Sequence, residues 1–136
     1  MTLKDLIRRF EGLRLKAYLC PAGVPTIGYG STGPDVKLGM QWTKEQAESR
    51  LDTDAARYQS ATLKLCPSLA EDNIAAISDF AYNLGPTRLA GSTLRRKLNA
   101  GDIAGAKREL RKWVWAGGRK LPGLVIRREV EASMLK

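Results

Sequence analysis

The chain contains no histidine and only two cysteines, Cys20 and Cys66, among 136 residues. The first absence removes His-based catalytic triads and the commonest metal ligand, and the second removes a disulfide scaffold. Neither cysteine sits in a metal-ligand spacing, and no Asp-rich loop of the calcium-binding pattern occurs, so no metal and no cofactor is expected. Long apolar runs are also missing: stretches such as 73–81 and 121–126 break well short of the roughly 20 residues that span a bilayer. The N-terminus, MTLKDLIRRF, lacks the apolar core of a secretory signal, so synthesis in the cytoplasm is expected.

What is present suits one domain. With 43% hydrophobic residues the chain can bury a core. The net charge of +9 is unevenly placed: residues 1–85 hold 10 basic and 10 acidic side chains, and the last third holds 13 and 4. Such a field attracts polyanions, which include nucleic acid, anionic lipid and a negatively charged cell envelope.

Thr2 with Asp5 forms a capping box, and Leu3, Leu6, Ile7 and Phe10 recur at helical spacing up to Gly12, which predicts a short helix ending at Glu11. From Leu13 to Gly33, β-branched and aromatic residues alternate with Gly and Pro, which predicts a tightly turned antiparallel sheet, the only β region expected. Thr43 with Gln46 caps a helix over 44–65, roughly 30 Å long. Ser68 with Glu71 caps a core helix carrying Ile74, Ile77, Ala81 and Leu84, which Gly85-Pro86 stops. Further helices are expected at about 91–99, 102–115 and 122–135. The architecture is α+β: an N-terminal lobe over about 1–43 with a β-hairpin, a connecting helix at 44–65, and a helical C-terminal lobe over 66–136. A cleft between the lobes is the expected site.

Glu11 is the leading candidate for chemistry. A carboxylate in the last turn of a helix faces the negative end of the helix dipole, an arrangement that suits a proton donor, although Arg8, Arg9 and Arg14 oppose it. The commoner alternative for a glutamate is a solvated surface position. What favours chemistry is the hairpin that follows, where Gly28 and Gly30 would leave a strand face bare for a flat polymer such as a sugar chain, and Thr26 offers a hydroxyl to hold water.

Glu11, eight residues, position 20, five residues, Thr26 and then IGYG resemble the catalytic region of the phage-type lysozymes, the endolysins of glycoside hydrolase family 24. FAYNLG at 80–85, LAGSTLRRKLNAGD at 89–102, WVWAGG at 113–118 and LPGLVIRRE at 121–129 are similar, in order and spacing, to further blocks of that family. The resemblance implies a single lysozyme-like catalytic domain that hydrolyses the β-1,4 bond between N-acetylmuramic acid and N-acetylglucosamine in peptidoglycan. It implies Glu11 as the general acid and Thr26 as the residue positioning water. Position 20, where the family usually has Asp, is Cys here. A free thiol, with a pKa of ~8.5, needs a positive neighbour to act as thiolate, and Arg14 and Lys16 are nearest in sequence. The alternative for Cys20 is a half-buried hydrophobe, and a bridge to Cys66 is not expected.

Ser31 stands where many relatives place His and is expected to hydrogen-bond in the cleft, with Tyr82 and Asn83 contacting sugar, or Tyr82 packing in the helix instead. Trp113 and Trp115 are read as core. Arg127 and Arg128 read as a solvated basic face, or as partners of acids near the start of the chain. The basic last third is expected to attract the anionic envelope of a bacterium; a nucleic-acid partner is not expected, and the chain is expected to be a monomer. Action on the wall in the periplasm follows from the resemblance, after release across the inner membrane. A lytic transglycosylase relying on Glu11, a non-catalytic peptidoglycan-binding module and a membrane-disrupting cationic segment are the alternatives.

Overall fold

The computed structural model describes residues 1–136. In chain order the elements are α1 (Leu3–Glu11), β1 (Arg14–Leu19), β2 (Pro25–Gly28), α2 (Lys44–Leu65), α3 (Glu71–Leu84), α4 (Pro86–Ala90), α5 (Thr93–Asn99), α6 (Ile103–Leu110), β3 (Trp115–Ala116), β4 (Arg119–Lys120) and α7 (Pro122–Met134). This is the expected α+β arrangement, and α2 has the expected bounds. Internal contacts divide the chain into two units, Met1–Arg57 and Tyr58–Lys136, with the division inside α2. No helix is long and apolar enough to cross a membrane.

In the first unit, short-range signals become geometry. The Thr2 hydroxyl accepts the Asp5 N–H at 3.1 Å while the Asp5 carboxylate accepts the Thr2 N–H at 3.0 Å, so two of the free donors at the start of α1 are satisfied. Thr43 and Gln46 repeat the device at the start of α2. Leu3, Leu6 and Ile7 are buried on one face of α1. β1 and β2 pair antiparallel, Tyr18 opposite Thr26 and Leu19 opposite Pro25, with an irregularity between Arg14 and Tyr18. The other edge of β1 is covered by residues 40–42: the Ala17 N–H donates to the Met40 carbonyl at 3.0 Å and the Trp42 N–H to the Leu15 carbonyl at 2.8 Å.

One side chain joins three parts of this unit. The Glu48 carboxylate on α2 accepts from Arg8 on α1 at 2.7 Å and from the Tyr29 hydroxyl just after β2 at 2.6 Å. These two hydrogen bonds, Arg8 first, hold the Glu48 carboxyl down at about 2.

The second unit is built around α3, whose Ala76, Ile77, Phe80 and Ala81 are buried with Cys66, Leu89, Leu94, Leu98, Leu110 and Ala132. Several expectations need correcting. Ala70, not Ser68, precedes the first turn of α3, without a side-chain cap. α3 does end at Leu84 before Gly85-Pro86, as expected, and Pro86 at once starts α4, because a missing N–H costs nothing at the first helical position. The helix expected over 102–115 stops at Leu110, and β3 and β4 form a second hairpin. Gly117 and Gly118 both have positive φ, 59° and 75°, the combination a two-residue hairpin turn requires. Trp113 packs edge-on against Phe80 at 5.5 Å, as a core residue, whereas Trp115 is 62% exposed.

Arg127 and Arg128 are buried, not a solvated face, and their partners lie within the second unit rather than near the start of the chain. Arg127 grips Asp79 through Nε and NH2 at 2.9 and 2.8 Å. Arg128 donates to Asn83 at 2.8 Å and to Glu131 at 3.0 Å. Burial raises Asp79, but the Arg127 guanidinium outweighs it and holds the carboxyl below its ordinary range. Burial pushes the Glu131 carboxyl up, despite Arg128 beside it.

A carboxyl at about 2 in the folded state, against ~4.3 when unfolded, contributes stability that is present above ~4.3 and lost as pH falls toward 2. Glu48→Gln is therefore expected to be less stable than the parent at neutral pH and to show a shallower loss of stability between those pH values. Urea denaturation across that range reads both effects.

Candidate active site

Glu11 is the last residue of α1, half-buried, and Gly12 turns the chain away with its N–H donating to the Arg8 carbonyl at 3.2 Å. The turn after β2 comes up against its carboxyl. A Cβ built on Gly30 would lie 2.7 Å from Glu11 Oε1 and 3.1 Å from Cδ, and Gly30 has a φ of +78°. Both facts demand glycine at position 30: one for backbone conformation, the other for the space the carboxyl occupies.

Gly28 has a different neighbour. A Cβ there would meet the Trp42 ring at 3.0 Å. The expectation that Gly28 and Gly30 leave a bare strand face for a sugar chain is thus corrected, because Trp42 fills the space beside one and Glu11 the space beside the other. Trp42 and Glu48 were not singled out from the sequence. Their positions 14 and 20 residues beyond Gly28 give no local signal.

Cys20 lies at the tip between β1 and β2. Its N–H donates to the Val24 carbonyl at 3.0 Å, and the Gly23 N–H donates back to the Cys20 carbonyl at 2.8 Å, closing a Pro21-Ala22-Gly23 turn. Hydrogen bonding from backbone N–H groups, that of Val24 first and then that of Ala22, outweighs burial and holds the Cys20 thiol below its ordinary value. The expected cationic neighbours are not the cause: the Arg14 guanidinium lies over the Tyr18 ring at 4.5 Å. Cys20 and Cys66 are both free thiols.

Thr26 is 4% exposed, and its hydroxyl donates to the Val24 carbonyl at 2.9 Å. Its position is beside the sulfur rather than open to solvent. Ser31 is also buried, donating to Asp54 at 2.8 Å, where Arg50 Nε completes the carboxylate at 2.9 Å. The expectation that Ser31 offers its hydroxyl to substrate is corrected: that hydroxyl is already bonded inside the protein. Tyr82 and Asn83 belong to the second unit. Tyr82 meets the Tyr58 ring edge-on at 5.0 Å, and the Asn83 carbonyl oxygen accepts from Arg128. No group of three His, Cys, Asp or Glu side chains is placed to hold a metal ion.

The family model for phage lysozyme matches residues 8–131, a span that includes Glu11, Cys20, Thr26 and most of the second unit's core. The chain belongs to the phage lysozyme family. The endolysin of Acyrthosiphon pisum secondary endosymbiont phage 1 is 41% identical over 136 residues, covering 96% of this chain and 92% of that protein. The SAR-endolysin of Bacteriophage PS119 is 40% identical over 127 residues, covering 91% of this chain and 75% of its own. The solved endolysin from Escherichia coli O157:H7 phage FAHEc1 superposes with a TM-score of 0.84 at 36% identity, covering 97% of this chain and 89% of that one. As a phage lysozyme the protein is a peptidoglycan-hydrolysing enzyme.

Gly30→Ala is expected to keep the fold at a cost of roughly 1–2 kcal/mol, the strain of an L side chain in the left-handed region. Because the atom it meets is the mobile end of Glu11, the carboxyl moves aside, and peptidoglycan hydrolysis is expected to fall by about a hundredfold. Urea denaturation and turbidity clearance of purified sacculi, measured on the same preparation, separate the two effects.

Proposed function

We propose that this phage lysozyme cleaves the β-1,4 bond between N-acetylmuramic acid and N-acetylglucosamine, with Glu11 protonating the leaving glycosidic oxygen and Cys20 serving as the second catalytic group. The close seat of Glu11 against Gly30 is the observation that carries this reading, since it fixes an acid at a helix end where a surface glutamate would move freely. Hydrolysis with a paired second group needs either a base to activate water or a nucleophile to attack the sugar. A thiol lowered by hydrogen bonds at the hairpin tip supplies more thiolate near neutral pH than a free cysteine does. Thr26, buried with its proton given to the Val24 carbonyl, keeps oxygen lone pairs that accept from a water positioned for attack.

Gly30 and Gly28 serve the site by giving room to Glu11 and Trp42. Tyr82 and Asn83 take sugar-contacting roles in this reading, Asn83 through the amide group not engaged by Arg128. The protein works as a monomer, and its basic last third draws it to the anionic envelope, an attraction that salt weakens. The name SAR-endolysin carried by relatives supports action on the cell wall after release across the inner membrane.

The test is digestion of purified peptidoglycan with reducing ends measured. Glu11→Gln is expected to lower the rate by about a hundredfold to ten-thousandfold, the range general acid catalysis supplies. Cys20→Asp is expected to retain activity and Cys20→Ser to lose most of it, with the anomeric configuration of the product separating nucleophile from base. Unchanged activity in Glu11→Gln contradicts the proposal, and unchanged activity in Cys20→Ser removes any role for sulfur.

A further inference from the structure

The second hairpin and the start of α7 carry none of the residues assigned to the candidate active site. Trp115 is 62% exposed, Ile126 53% and Leu121 37%, and Trp115 is the most exposed of the chain's large apolar side chains. Trp115 pairs with Lys120 across the two-residue ladder, and directly opposed residues project from the same face of such a ribbon. Lys120 in turn lines an open groove of about 360 Å³ with Pro122, Val125 and Ile126. Trp115, the groove and Lys120 therefore make one continuous patch, apolar in body with a cation at its edge.

The charge around the patch has one sign. No acid lies between Glu109 and Glu129 in the sequence. Arg111 and Lys112 are paired with those two glutamates, and Arg127 and Arg128 are buried with Asp79 and Glu131. Arg119 and Lys120 make no salt bridge and are exposed, so their charge is left for a partner outside the chain.

We infer that this patch docks the enzyme on the surface of an anionic phospholipid bilayer, with the Trp115 indole and Ile126 in the headgroup boundary, acyl carbon along the groove, and lipid phosphate against Lys120 and Arg119. An amphipathic indole beside a lysine is the pairing that seats at a membrane interface, where apolar burial and attraction to anionic lipid add. A glycan would ask for more: sugar hydroxyls need several fixed polar partners, and the groove offers aliphatic carbon and one ammonium. The surface is independent of the roles proposed for Glu11 and Cys20.

Sedimentation with vesicles of phosphatidylglycerol and phosphatidylethanolamine, compared with phosphatidylcholine vesicles, tests the inference. The parent is expected to bind the anionic vesicles at least roughly tenfold more tightly, and less so as salt rises. Trp115→Ala and Ile126→Ser are each expected to weaken that binding by roughly tenfold or more while digesting lipid-free sacculi at the parent rate. Lys120→Glu is expected to abolish the preference for anionic lipid. Equal binding of both vesicle types, or parent-like binding by both Trp115→Ala and Ile126→Ser, overturns the inference. Loss of activity on lipid-free sacculi in those two folded variants also overturns it, by assigning the patch to the glycan.

Discussion

Everything at the candidate site depends on the approach of the Glu11 carboxyl to the backbone of Gly30. A Cβ at position 30 would stand only 2.7 Å from Glu11 Oε1, so the carboxyl keeps its place only while that residue is glycine. The rest of the first unit makes that approach possible. Gly12 ends α1 at the acid, and β2 delivers the turn that carries Gly30. Glu48 then ties Arg8, one turn before Glu11, to Tyr29, one residue before Gly30. Two segments far apart in sequence are thus held to one carboxylate on α2. The acid is positioned by a clamp on its neighbours on both sides.

The protein handles its other sensitive charges in two further ways. At Cys20 the thiol is lowered by neutral backbone N–H groups, which favour the thiolate without a side-chain cation. In the second unit the guanidiniums of Arg127 and Arg128 are out of water and each is matched by a carboxylate. Breaking such a pair leaves an uncompensated buried charge, so these groups support the packing of α7 on α3 only as a complete set. Arg119 and Lys120 on β4, by contrast, are exposed and make no salt bridge.

Local signals were legible and distant ones were not. The capping boxes at Thr2 and Thr43, the bounds of α2, the first hairpin and the importance of Glu11 all follow from residues within a few positions of one another. The second hairpin was missed because Trp113, Val114 and Trp115 follow directly on a helical pattern, and only the paired glycines at 117 and 118 mark the change. Arg127 reads as solvated because the acid gripping it, Asp79, lies 48 positions away, and Arg128, despite Glu131 one turn on, because its burial depends on the packing of α7 on α3. The same limit hid the fillers beside the glycines: Gly28 was read as open when Trp42 packs on it. For Cys20 the local reading looked to charged side chains, whereas the donors are main-chain groups that no side-chain list reveals.

The central claim is that Glu11 and the hairpin direct water, rather than a hydroxyl of the sugar itself, onto the glycosidic carbon. Digesting purified peptidoglycan in heavy-oxygen water and weighing the released fragments tests this most directly. The account predicts a heavy oxygen at each new reducing end. Unlabelled anhydro ends would contradict it.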